Sequence, residues 1–383
     1  MSVAARIVAR LAQRAGRIAL LPEPEVRALH GGRLTPLLER FPGLQGRLPW
    51  MPIAELPTPV GRLQHPPGMQ QGSLWVKRDD LTSALYGGNK VRKFEHVLAH
   101  ARLVGARSLV TIGGLGSNQA LAAALHGREM GWPVELALSE QPETPYVLRN
   151  LRADAAAGAV IHPGGGFLGT LLTARRVMNR LRAAGKEPYF LTVGATSRLT
   201  TSGYVNAALE LAQQVRAGLL PEPDRVFIAA GTCGTAAGLV AGLRLSSLRT
   251  RVTAVRVVDP MMSNATMIAA LANDCMQWLR ELDHDVPEVR ISEQDFEYDD
   301  RWFGDGYGHA TPEGRAAVAW AGPALHLETT YTGKALASCL AHCSDRGRND
   351  TVLFWNTYNS APLAELDSLA RLPLEFQHPR TPA

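Results

Sequence analysis

The sequence predicts an α/β protein built on two open, parallel sheets. From about Trp75 onward short apolar runs alternate with helical patterns, and glycine-rich turns recur directly after those runs. Length is the third observation, since 383 residues exceed what one hydrophobic core usually serves. Residues 1–50 read as an N-terminal arm of helices and loops with Pro and Gly breaks. Residues 51–94 plus 203–383 read as a large domain, and residues 95–202 as a small inserted α/β domain.

Along the chain, Arg6, Arg10, Arg14 and Arg17 stand at near-helical spacing with no acid before Glu23. That pattern has the look of an organellar transit peptide, although a surface helix in an arginine-biased composition explains it more simply. The strands expected next are residues 108–112, 134–138, 159–162 and 189–193, then 225–230, 252–258 and 351–355, each followed by a plausible helix. Glycines at 113–114, 164–166, 194 and 231–238 punctuate the ends of these strands. Ligands of open parallel sheets gather at those carboxyl ends.

Composition excludes several classes. No uncharged apolar run approaches the roughly 20 residues of a membrane helix, so a membrane-spanning chain is not expected. The net charge of +5 comes from scattered arginines without interleaved aromatics, which favours small anionic ligands over nucleic acid. Four cysteines without Cys-x-x-Cys spacing, and no secretory leader, point to a cytoplasmic setting with free thiols. Cys339, His342 and Cys343 could share a helix face, but no fourth ligand is evident and no metal is expected.

The chemistry concentrates in Lys77-Arg78-Asp79-Asp80 and Gly87-Gly88-Asn89-Lys90-Val91-Arg92-Lys93. Only five lysines stand against thirty-five arginines, and three of the five fall here. A Gly-Gly turn followed by Asn89, a preferred capping type, would put Lys90 in a first helical turn. There the helix dipole and burial would lower its pKa, and a neutral amine can attack a carbonyl. Further on, Gly231-Thr232-Cys233-Gly234-Thr235-Ala236-Ala237-Gly238 follows a strand with small residues whose amides can converge on one anion. It lacks both the Gly-Lys-Thr end of a nucleotide P-loop and the full dinucleotide fingerprint, so a single phosphate monoester fits it better. An imine-forming lysine together with a monophosphate cup suggests pyridoxal phosphate. Gly113-Gly114-Leu115-Gly116-Ser117-Asn118-Gln119 opens a helix and could receive a carboxylate or phenolate oxygen, or could simply cap that helix. Tyr331-Thr332-Gly333-Lys334 offers a hydroxyl for the pyridine nitrogen.

Taken in order with Leu56-Pro57-Thr58-Pro59 and Tyr307-Gly308, these segments resemble the pyridoxal-phosphate enzymes of the tryptophan synthase β fold (fold type II). The branch they resemble is that of 1-aminocyclopropane-1-carboxylate deaminase and D-cysteine desulfhydrase. The resemblance implies that Lys90 carries the cofactor imine and Lys93 reaches the phosphate. It further implies that Gly231, Thr232, Cys233, Gly234 and Thr235 line the phosphate, Asn118 meets the ring hydroxyl, and Thr332 meets the ring nitrogen. Ser117 would contact the substrate carboxylate or open a cyclopropane ring, and Tyr307 and Tyr331 would line the substrate side. Three departures stand out. Thr332 replaces the deaminase glutamate and should give a weaker electron sink, favouring β-elimination to a 2-oxo acid and ammonia over ring opening. Gln119 follows the deaminase habit, yet Ala120 and Leu121 stand where an arginine is expected. Thr357, Tyr358 and Asn359 replace a glycine pair, so Tyr358 should reshape the substrate wall. The expectation is a homodimeric lyase or deaminase acting on a small amino acid. A ring-opening deaminase and a catalytically impaired amino-acid-binding homologue are the alternatives.

Overall fold

A computed structural model of the chain describes residues 21–363, except 67, 70 and 346–348, together with residue 372. The transit-peptide reading falls on residues outside this set. The described strands are β1 (Val60–Arg62), β2 (Ser73–Arg78), β3 (Ser108–Gly114), β4 (Val134–Ser139), β5 (Val160–Gly165), β6 (Pro188–Leu191), β7 (Arg225–Ala230), β8 (Arg251–Arg256), β9 (Glu297–Asp299) and β10 (Thr351–Asn356). The chain divides into a larger unit, residues 23–96 and 196–361, and a smaller one whose main body is residues 97–195.

The larger unit holds a six-stranded sheet in the order β1-β2-β10-β7-β8-β9. Only β1 runs antiparallel, against β2. Strands β7 and β10 read Arg-Val-Phe-Ile-Ala-Ala and Thr-Val-Leu-Phe-Trp-Asn, continuous apolar runs suited to a sheet covered on both faces. Val76, Phe227, Val255, Val352 and Phe354 pack with Leu336 and Cys339 of the Thr332–Cys343 helix. That helix buries Cys339 and Cys343, and His342 bonds Asp350 at 2.8 Å. No cluster able to hold a metal occurs among the described residues.

Residues 23–50, expected as a separate arm, lie within this unit. The Leu37 N–H donates to Asn206 Oδ1 at 3.0 Å, and Arg47 donates to the Leu282 carbonyl at 2.8 Å. The Glu23–Leu29 helix buries Val26. Strands β1, β2 and β9 were not expected. All three end in a charged residue, and β2 carries Lys77 and Arg78 where an apolar alternation would be sought.

The smaller unit is a four-stranded parallel sheet, β5-β4-β3-β6. Val110, Ile112 and Ala137 form its core with Leu171, Ala174 and Met178 of the Phe167–Ala183 helix. No helix among the described residues is long and apolar enough to cross a membrane.

Candidate active site

The carboxyl ends of the neighbouring strands β2, β10 and β7 bring three loops together in the larger unit. After β2 the chain reaches Gly87-Gly88 and enters the Asn89–Leu103 helix with Lys90 in its first turn. Gly88 has φ +96, and a Cβ there would stand 2.7 Å from the Thr357 carbonyl oxygen, so glycine is required. The loop after β10 grips this turn. The Thr357 carbonyl accepts the Asn89 N–H at 3.1 Å, and Asn359 Oδ1 accepts the Gly87 N–H at 2.7 Å. Lys90 Nζ donates to Asn89 Oδ1 at 3.2 Å, and Asn89 Nδ2 donates to Thr235 Oγ1 at 3.1 Å, so the asparagine links the lysine to the β7 loop.

Burial lowers the Lys90 amine from an ordinary 10.5 to about 8. The cause is desolvation, where the sequence had also suggested the helix dipole. The depressed value means that the folded chain binds fewer protons than the unfolded one between pH 8 and 10.5, so this strain is fully present below about 8 and fades above it. Lys90→Met should therefore stabilise the cofactor-free protein by about 2 kcal/mol at neutral pH. Urea midpoints compared at neutral and strongly alkaline pH check this, and an equal gain at both would count against it.

Beneath the turn lies a buried network of four charges. Lys77 Nζ donates to Glu210 Oε1 and Gln214 Oε1, each at 2.6 Å, and to the Thr58 carbonyl at 2.7 Å. Arg92, on the Lys90 helix, donates to Asp79 at 2.8 Å and Glu210 at 2.9 Å, and the Tyr204 hydroxyl donates to Asp79 at 2.7 Å. Burial works to raise Glu210, but Arg92 and Lys77 outweigh it and hold the carboxyl at about 2. Burial draws Lys77 down. With three acceptors around its nitrogen, the ammonium is nevertheless the form this geometry satisfies.

Strand β7 runs into Gly231-Thr232-Cys233 and the Gly234–Leu245 helix. The Gly234 N–H donates to the Thr232 carbonyl and the Ala237 N–H to the Cys233 carbonyl, so Thr235 and Ala236 present their N–H groups at the helix start. A Cβ on Gly234 would lie 3.0 Å from both Lys93 Nζ and Thr196 Oγ1. Thr196 Oγ1 bonds Thr232 Oγ1 at 2.7 Å and lies 3.3 Å from Lys93 Nζ. Cys233, at φ +66, turns its sulfur toward Ser263 Oγ at 3.5 Å and leaves only its backbone to the loop. Burial first, and then the Lys90 charge, pull Lys93 well below its ordinary pKa. An anion in this cup would relieve that strain. Lys93→Ala should weaken cofactor phosphate binding by about 10- to 100-fold, read as the dissociation constant in a fluorescence titration. A change below about twofold would contradict the role.

At the Thr332–Cys343 helix, the hydroxyls of Tyr307 and Tyr331 hydrogen-bond each other, and burial raises both pKa values. Lys334 donates to the Phe303 carbonyl at 2.6 Å, fixing the loop that carries Tyr307. Thr332 is buried against Glu328. Tyr358, expected on the substrate wall, is 3% exposed with its ring 5.4 Å from His326. Sequence reading missed Thr196, Asn89 as a linker, and Glu328, whose signal was an acid four residues ahead of a helix start.

In the smaller unit, Ser117 caps the Asn118–Glu129 helix by accepting the Ala120 N–H at 3.3 Å. Asn118 Oδ1 accepts from the Tyr146 hydroxyl at 2.9 Å and from Asn150 Nδ2 at 3.3 Å. Gln119 Nε2 donates to Thr111 Oγ1 and the Thr192 carbonyl, each at 2.7 Å, while its buried Oε1 has no hydrogen-bond partner. Tyr146 and Asn150 carried no signal in the sequence, because their role depends on a helix folding back over the turn.

A half-buried amine of lowered pKa, linked through Asn89 to a cup of glycines, hydroxyls and a second lysine, fits an aldehyde phosphate. The sequence family described as pyridoxal-phosphate dependent enzyme matches residues 52–357. The chain is 33% identical to nocardicin C-9' epimerase of Nocardia uniformis subsp. tsuyamanensis, over 84% of this chain and 96% of that protein. It is 31% identical to D-cysteine desulfhydrase of Klebsiella pneumoniae (strain 342), over 81% and 94%. The solved structure of an ACC deaminase homologue superposes with a TM-score of 0.70 at 26% identity, covering 85% of this chain and 94% of that one. The chain thus belongs to the pyridoxal-phosphate dependent enzymes, in the family of the 1-aminocyclopropane-1-carboxylate deaminases and D-cysteine desulfhydrases.

Proposed function

We propose that the enzyme removes the Cα proton of a small amino acid and, where the β-carbon bears a leaving group, yields a 2-oxo acid and ammonia, as a D-cysteine desulfhydrase does. The observation that carries this reading is the Lys90 amine, brought to about 8 and linked through Asn89 to the phosphate cup. Bound pyridoxal phosphate withdraws electrons from the Cα of an attached amino acid and so acidifies its proton. Lys90, which would join the cofactor aldehyde, is the base able to take that proton near neutral pH. Lys93 and the backbone of Gly231, Thr232, Cys233, Gly234 and Thr235 anchor the phosphate, and Thr332 receives the ring nitrogen. Tyr307 and Tyr331, kept protonated by burial, serve as a neutral donor on the substrate side. In the smaller unit, Ser117 would give its hydroxyl proton to the substrate carboxylate and Asn118 would meet the ring hydroxyl, while Gln119, with both Nε2 protons held by Thr111 and the Thr192 carbonyl, keeps that turn in place. Thr357 acts through its carbonyl on the Lys90 turn, and Tyr358 through its packing on His326.

A second outcome of the same proton removal is reprotonation with inversion. The 33% identity to nocardicin C-9' epimerase over 84% of the chain favours it. The test is incubation in heavy water with both enantiomers of cysteine and β-chloroalanine, and with aminocyclopropane carboxylate. A 2-oxo acid and ammonia from a β-substituted substrate support elimination. Deuterium at Cα with loss of chirality but no 2-oxo acid selects inversion, and product from the cyclopropane alone shifts the reading to ring opening by Ser117. Neither exchange nor product from any of them rejects the proposal.

A further inference from the structure

Glu328 stands four residues ahead of Thr332, buried at the N-terminus of the Thr332–Cys343 helix. Its Oε1 accepts the N–H groups of Thr332 at 2.8 Å and Tyr331 at 3.0 Å, and its Oε2 accepts that of Thr330 at 2.6 Å. The Thr332 hydroxyl lies 3.0 Å from Glu328 Oε1 and 3.3 Å from the Glu328 carbonyl, and it accepts the Glu328 N–H at 3.1 Å. Every one of these groups around the carboxyl is a donor, so the ionised form is the one its surroundings satisfy. Burial raises the Glu328 pKa above the ordinary carboxylate value, and the donors of Thr330, Tyr331 and Thr332 together with the positive end of the helix pull it back toward the charged form. A hydroxyl has a single proton, and both acceptors offered to this one belong to Glu328. One lone pair is then left for a ligand.

The segment leading to Thr332 is tied to the same end of β10 that grips the Lys90 turn. Asn356 Nδ2 donates to the His326 carbonyl at 3.3 Å, and the Tyr358 ring packs on the His326 ring. The Tyr358 carbonyl in turn closes on Gly88. We propose that Glu328 fixes the Thr332 hydroxyl as a hydrogen-bond acceptor, so that a cofactor ring nitrogen docked on Thr332 is retained in its protonated form. This rests on the reading that seats the ring nitrogen at Thr332. It reverses the expectation that a threonine there gives a weak electron sink, because a carboxylate stands one hydrogen bond further out and favours the charged ring.

The test is the nitrogen-15 chemical shift of ring-labelled pyridoxal phosphate bound to the protein, which separates protonated from bare pyridine nitrogen without any turnover. The native protein should give the protonated shift, steady across neutral pH. Glu328→Gln and Thr332→Val should both move toward the bare shift, and Thr332→Ser should restore the native one. A bare shift in the native protein overturns the proposal, and this measurement decides even if Glu328→Gln fails to fold. An unchanged shift in Glu328→Gln with a moved shift in Thr332→Val overturns the relay and spares the seat. An unchanged shift in Thr332→Val overturns both.

Discussion

Replacing Lys90 with alanine should remove the visible absorbance of the bound cofactor and cut turnover by about 10³-fold or more, the scale of losing a positioned base together with a covalent anchor. Phosphate anchoring should survive, because Lys93, Thr196, Thr232 and the N–H groups at the start of the Gly234–Leu245 helix form a cluster that Lys90 does not complete. The variant is therefore expected to bind pyridoxal phosphate reversibly and without the long-wavelength band. Added alkylamines should restore part of the Cα exchange by supplying the missing base. A Lys90→Ala protein that kept both the band and its turnover would transfer the chemistry to another amine. Lys334 is the rival, since burial also brings it to about 8, but its nitrogen is spent on the Phe303 carbonyl.

Glu210→Ala should destabilise the fold by about 3–5 kcal/mol, because it strands two buried cations without their shared anion. Lys77 and Arg92 both lose an ion pair, at 2.6 and 2.9 Å, and Asp79 alone remains to balance them. The effect should reach the site as well, since Arg92 lies two residues beyond Lys90 on the same helix. A lowered urea midpoint with an unchanged slope is the expected signature. Pairing Glu210→Ala with Lys77→Met should cost less than the sum of the two, because the charges are coupled. A loss below about 1 kcal/mol would mean that the network is solvated and carries little.

The parts of this architecture that were legible in the sequence are those written in local pattern. Strands β7 and β10 are apolar runs ended by small or polar residues, and the Gly87-Gly88 turn and the 231–238 loop announce themselves by backbone freedom. Strand β2 was not legible, because a fully buried Lys77 looks like a surface residue until Glu210, distant in sequence, is folded against it. Asn89 looked like a cap, and its side chain instead bridges to Thr235, a contact that only tertiary placement creates. Ser117 behaved as its local signal suggested, capping its helix, whereas the partners of Asn118 come from a helix about thirty residues away. Within the stretch 1–50 read as an arm, the anchors of residues 37 and 47 carry no local signal, because Asn206 and Leu282 lie far along the chain.

The most direct measurement of the central claim is borohydride reduction of the protein loaded with pyridoxal phosphate, followed by peptide mass mapping. The added mass should fall on Lys90 alone. Mass on Lys93 or Lys334 with Lys90 unmodified, or no adduct in fully loaded protein, would contradict it.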